Sequence, residues 1–149
     1  IAEIPRSGDR WKQVNFDIDT FQNFFGATPG DNSQRILLRN INDDLSLSEI
    51  EVRPSVSVVS QNYRFELDAA SGLPYPNNGK PIGVFVKVTT RMFLYHLYMP
   101  NQPLYAEIND WLQTNWTGRA DRMKRITTRV NQISEVIRRS VFNRYLVQI

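Results

Sequence analysis

Cysteine is absent from the 149 residues of this chain, and histidine occurs once, as His96. Without cysteine there is no disulfide, no thiolate metal site and no sulfur nucleophile, so the fold must stand on packing alone. A single imidazole excludes every site that needs two, including the paired-histidine zinc helix of metalloproteases. His96 alternates with Leu94 and Tyr98 in an apolar stretch, which is the setting of a core histidine. A serine triad would have to use it as base, and no Gly-x-Ser-x-Gly turn accompanies it. Gly79-Lys80 is followed by Pro81 where a phosphate-cradling loop needs serine or threonine. No apolar run approaches the roughly 18 to 20 residues required to cross a bilayer, so no membrane span is expected. Nothing in the sequence calls for a cofactor or a metal.

What the chain does contain is a globular composition, 41% hydrophobic and 22% charged, enough for one domain with a buried core. Arginine supplies fourteen of the eighteen basic residues. Its planar fork suits interfaces and buried ion pairs better than the strongly hydrated lysine ammonium. Charge is also segregated along the chain. Residues 117–149 carry eight basic and two acidic side chains, whereas residues 1–116 are net acidic.

The basic end reads as one long amphipathic helix over residues 117–146. Met123, Ile126, Val130, Ile133 and Ile137 step by three and four, no proline interrupts them, and Thr117 is placed to cap the first turn. Asn115-Trp116-Thr117 fits a glycosylation sequon, but its threonine is read as that cap.

Residues 1–15 read as an N-terminal arm anchored by Trp11 and Val14. The first residue is Ile1, not methionine, and no signal-peptide pattern follows, which reads as a fragment of a longer chain. A core domain over residues 16–116 follows. Phe16, Phe21, Phe24 and Phe25 supply core aromatics around a short helix that Asp17 or Asp19 caps and Gly26 ends. Strands are expected over residues 35–39, from residue 49 through Pro54 to residue 58, and over residues 63–67. Pro54 lacks an amide and favours an edge. A turn-rich loop over residues 69–81, with Leu73 and Tyr75 at its tip, precedes one central strand over residues 82–99, bent or bulged near residues 89–91. Pro103 then opens a helix with Leu104, Ile108, Trp111 and Leu112 inside. The expected fold is α+β: a small antiparallel sheet of about four strands, helices on one face, and the long basic C-terminal helix packed on the core or on a neighbour.

Three function classes compete. The first is a non-enzymatic structural subunit of a larger protein assembly, a homo-oligomer or a component of a virion, phage tail or secretion machine. Arg122, Lys124, Arg125, Arg129, Arg138 and Arg139 would pair with Asp43, Asp44, Glu49 or Glu51 of an identical chain, with Leu73 and Tyr75 as loop contacts. The second is a nucleic-acid-binding module in which the same cations neutralise phosphates, with affinity falling steeply in salt; no helix-turn-helix, zinc-finger or RNA-binding signature accompanies them. The third is a metal-dependent nuclease using Glu66, Asp68 and Lys87, although Phe85 stands where such a site places a metal-binding acid. The assembly reading uses most of the sequence and is the one expected.

Overall fold

The structure, a computed structural model, describes residues 1–6, 11, 13–27, 35–54 and 63–146. Seven strands are present among them: β1 (Ala2–Glu3), β2 (Gln13–Phe16), β3 (Arg35–Asn40), β4 (Glu51–Pro54), β5 (Tyr63–Glu66), β6 (Ile82–Lys87) and β7 (Met92–Tyr98). Five form one sheet in the order β1-β6-β7-β3-β4, and β2 pairs with β5 in a separate two-stranded ribbon. The fold is α+β. The expectation of a purely antiparallel sheet of about four strands is corrected, because β3 and β7 run parallel with Leu38 beside Phe93. Side-chain alternation records which face of a strand is buried and is blind to the direction of its neighbour. Pro54 does lie on an edge strand, as its missing amide requires; residues 55–60, into which that strand was expected to run, lie outside the described residues.

Strand β7 is apolar on both faces and is covered on both. On one side Phe93, Tyr95 and Leu97, with Ile36, Leu38 and Phe85, pack against Trp11, Val14, Phe16, Phe21 and Phe25. Ring centroids lie 4.8 Å apart for Phe25 and Phe93 and 4.9 Å apart for Phe16 and Phe25, within the range of favourable tilted contacts. The expected short helix is a π-helical turn, Thr20–Phe24. Asp17 Oδ1 accepts the Thr20 amide at 2.7 Å, and Gly26 ends the turn at φ +65°, a conformation that costs glycine little. On the other side Ile82, Val84, Val86, Leu94 and Tyr98 meet the helical layer. There α1 (Tyr105–Asn115) contributes Ile108 and Leu112, and α2 (Ser134–Arg139) contributes Ile137.

The expected long C-terminal helix does not form. Helix α1 ends at Asn115, and Thr117 caps nothing. Residues 119–129 run without helix, and only a short 3-10 turn (Val130–Ile133), α2 and α3 (Asn143–Leu146) follow. Two causes are visible. Lys124 and Ile126 pair with β1 instead: the Glu3 amide donates to Lys124 O and the Ile126 amide to Ile1 O, both at 2.8 Å. Ser140 then breaks the following helix, its hydroxyl donating to Ile137 O at 2.7 Å. A helix of thirty residues would be on the order of 45 Å long and could lay only part of its stripe on a small sheet. Broken, the same stretch brings Ile133, Ile137 and Phe142 onto one sheet face, where all three are buried.

Phe25 is completely buried in the aromatic cluster, so Phe25→Ala is expected to cost about 3–5 kcal/mol in urea unfolding. The exposed Leu73→Ala should stay within about 0.5 kcal/mol of the parent. Equal losses for the two would contradict this core assignment.

Candidate protein-interaction surface

Not all six cations expected to make contacts share one surface. Arg122, Lys124, Arg125 and Arg129 lie on the extended segment that runs beside β1, at one edge of the sheet. The Lys124 amide donates to the buried Glu3 carboxylate at 2.7 Å, which pins this segment to β1. Arg125 is half-buried, 3.7 Å from the Asp17 carboxylate, and is thereby tied to the turn before Thr20. Arg122 and Arg129 are exposed and make no ion pair among the described residues. Arg138 and Arg139 sit apart, on α2. Arg138 pairs with Glu135 at 3.0 Å, and Arg139 makes a forked pair with Glu107 that ties α2 to α1.

The four candidate acids lie on β4 and the loop that joins it to β3, with Asp43 reaching back to His96 on β7. Asp43 and Asp44 occupy the loop between β3 and β4, and Glu49 precedes β4. Asp44 accepts both the amide and the hydroxyl of Ser46, which holds its carboxyl below the usual range. Glu51 differs from the rest because its side chain is inside the protein. It accepts the Tyr95 hydroxyl at 2.5 Å, the Asp68 amide at 2.8 Å and Arg53 at 3.1 Å. Burial pushes its carboxyl up from the ordinary value, and the hydrogen bonds from Asp68 and Tyr95 oppose that rise. Glu51 is therefore a structural acid that fastens β4, β7 and the 3-10 turn (Asp68–Ala70) together. Its partners Tyr95, Arg53 and Asp68 had no signal in the sequence, since contacts 44 and 17 residues apart in the chain depend on topology.

Between these acids opens a cleft of about 420 Å³, lined by Asn40, Asp43, Glu49, Asp68 and His96 among others. Asn40 Nδ2 donates to Asn42 at 2.9 Å, and its Oδ1, buried in the wall, has no donor among the described residues. His96 is buried, as expected of a core histidine; Nδ1 faces Ile41 O at 2.5 Å and Nε2 lies 3.4 Å from Asp43 Oδ1. The nearby Ser48 hydroxyl donates to Asn42, not to His96, so no nucleophile and base are joined. The nuclease constellation is not assembled on one hairpin either, because β5 pairs with β2 and not with β6, which carries Lys87. Among the described residues no cluster of acids and histidine is arranged to hold a metal ion.

Leu73 and Tyr75 lie on a loop fastened to the N-terminal segment. The Trp11 indole donates to Leu73 O at 2.6 Å, Tyr75 packs edge-on against Trp11, and the Tyr75 hydroxyl donates to Ile4 O at 2.8 Å. Of these two side chains Leu73 is exposed and Tyr75 is half-buried.

No protein-family model, curated protein or solved structure matches this chain. No helix among the described residues is long and apolar enough to cross a membrane.

Because the Glu51 carboxyl is raised in the folded state, its ionisation opposes folding as pH rises above the ordinary value of 4.5. Glu51→Gln removes that titration. The stability of Glu51→Gln relative to the parent should therefore increase as pH is raised from 4.5 towards neutrality, read from urea midpoints at each pH. A difference that shrinks over this interval would show that the carboxylate is held by its donors more strongly than burial opposes it.

Proposed function

We propose that this chain is a non-enzymatic structural subunit that joins copies of itself head to tail, the basic edge of one copy entering the acidic cleft of the next. One observation carries the reading: among the described residues, the exposed arginines on the segment outside β1 and the exposed acids on the loop between β3 and β4 make no ion pair with each other.

Several features support it. Arg122 and Arg129 offer forked donors that no acid among the described residues pairs with, and Asp43, Asp44, Glu49 and the buried Asn40 Oδ1 offer acceptors. Large apolar side chains stand exposed beside each set: Ile50 and Val52, about half exposed, near the acids, and Val130 next to Arg129. An apolar centre with a charged rim is the usual anatomy of a protein interface. A contact between two different surfaces of identical chains propagates, giving rings if the rotation closes and filaments if it does not. That geometry suits a repeated component of a virion, phage tail or secretion machine.

The test is a pair of charge-reversed variants, Arg122→Glu with Arg129→Glu, and Asp44→Arg with Glu49→Arg. Each alone should lose assembled mass in light scattering, by tenfold or more in affinity if the two lost pairs contribute about 1 kcal/mol each. Mixed in equal amounts, they should assemble, since each retains the surface the other has lost. Failure of the mixture to assemble, with both variants folded by circular dichroism, would overturn the reading. A monomeric parent that carries nucleic acid and sheds it in salt would establish the phosphate-binding alternative instead.

A further inference from the structure

The cleft beside the β3–β4 loop is walled by acceptors. It opens near the ends of the parallel strands β3 and β7, and at about 420 Å³ it has the size of a small-molecule site. Asp43, Glu49, Glu51 and Asp68 line it, and among the described residues no lysine or arginine does. Arg53 pairs with Glu51 and Asp68, whereas Asp43 and Glu49 have no lysine or arginine partner among the described residues. We propose that this cleft is a binding site for a small organic cation, a guanidinium on a short aliphatic stem. Its head donates to Asn40 Oδ1 and the Asp43 carboxylate, and its stem lies against Leu73, Leu97 and Met99.

Acids alone would name no ligand, but the buried amide does. Asn40 is 9% exposed, and a one-way chain of hydrogen bonds fixes its orientation. An ionised Asp44 can only accept, so the Ser46 hydroxyl donates its proton there. Ser46 Oγ must then accept from Asn42 Nδ2 at 3.0 Å, which turns Asn42 Oδ1 towards Asn40 Nδ2, 2.9 Å away. Flipping Asn40 would set two carbonyl oxygens face to face. The atom on its other side is therefore an acceptor, Oδ1, and it has no donor among the described residues. A buried acceptor without a donor is costly, and a ligand N–H repairs it.

The same cleft offers a second acceptor pair. Ile41 O can only accept, so His96 Nδ1 carries the proton in their 2.5 Å contact. The neutral ring then turns its Nε2 lone pair towards Asp43 Oδ1, 3.4 Å away. Two acceptors that face each other call for a donor beside both. A guanidinium carries five N–H donors in one plane and sheds water more readily than an ammonium, so it can serve Asn40, Asp43 and His96 together. The apolar side chains of the lining accept the stem.

An arginine of a neighbouring copy carries the same head, so the test separates the two sources. The probe is butylguanidinium, with pentylammonium as its control, titrated into the ¹⁵N-labelled chain. The Asn40 side-chain amide and His96 Nε2 resonances should shift saturably, with butylguanidinium bound about tenfold more tightly than pentylammonium. Asn40→Leu removes the acceptor while keeping the wall filled, and Glu49→Gln removes an exposed charge. Each should weaken binding by about three- to tenfold. Glu49→Gln carries the test alone if Asn40→Leu does not fold. Arg122→Glu with Arg129→Glu should leave the affinity unchanged. No shift at millimolar butylguanidinium, equal affinity for the two cations, shifts that miss Asn40 and His96, or parental affinity in the folded variants would each overturn the site. A chain that assembles but ignores butylguanidinium loses this site and keeps the head-to-tail contact; a monomer that binds it does the reverse.

Discussion

Because Phe93, Tyr95 and Leu97 face one side of β7 while Leu94, His96 and Tyr98 face the other, this strand can be removed from water only by covering it twice. Each apolar side chain left bare would forgo roughly 1.5–3 kcal/mol of burial. A single helical layer cannot meet that requirement. The N-terminal aromatics and the β2–β5 ribbon close one face, and α1, α2 and Phe142 close the other. Segments before β3 and after β7 are both consumed in this way, and the basic segment is broken up and laid along β1 instead of projecting as a rod.

Covering the faces leaves the edges. At one of them the protein buries an acid and keeps it satisfied: Glu51 holds three donors from three different parts of the chain. Truncating such a group would leave a tyrosine hydroxyl, an amide and a guanidinium without their acceptor, which is how a buried acid comes to fix the position of a strand. The acids around it are of another kind. Asp43 and Glu49 are exposed, contribute little to folding, and keep their hydration until something displaces it. The same contrast appears at the opposite edge, where Glu3 pins the segment and Arg122 and Arg129 are left over. Charges spent on the fold and charges available for contact therefore stand side by side.

Much of the strand pattern was legible in the sequence because each strand buries a period-two face. Arg35–Asn40, Tyr63–Glu66 and Tyr105–Asn115 fall close to where they were expected, but the single bent strand expected over residues 82–99 is two antiparallel strands, Ile82–Lys87 and Met92–Tyr98, because the chain reverses at the residues read as a bend and pairs Val84 with His96. The parallel pairing of β3 with β7 was not legible, since direction leaves no trace in periodicity. The C-terminal segment misled for a related reason. A spacing of three and four over Met123, Ile126, Val130, Ile133 and Ile137 is compatible with one helix, yet Val130 is exposed, and Ile126 is placed by pairing with residues more than a hundred positions away. Of the candidate charges, Asp43, Asp44, Glu49, Arg122 and Arg129 were identifiable by type. That the arginines sit outside β1 and the acids on the loop between β3 and β4, and that Glu51 does not belong with them, follows from topology alone.

The head-to-tail contact can be read directly, because Lys124 is one of only four lysines and sits on the basic edge. Equal amounts of ¹⁴N- and ¹⁵N-labelled chain, assembled together and treated with a carbodiimide, should give mixed-isotope peptides joining Lys124 to Asp43, Asp44 or Glu49. Mixed-isotope products that join the basic edge to some other surface, or the absence of any mixed-isotope product at concentrations where mass measurements show assembly, would contradict it.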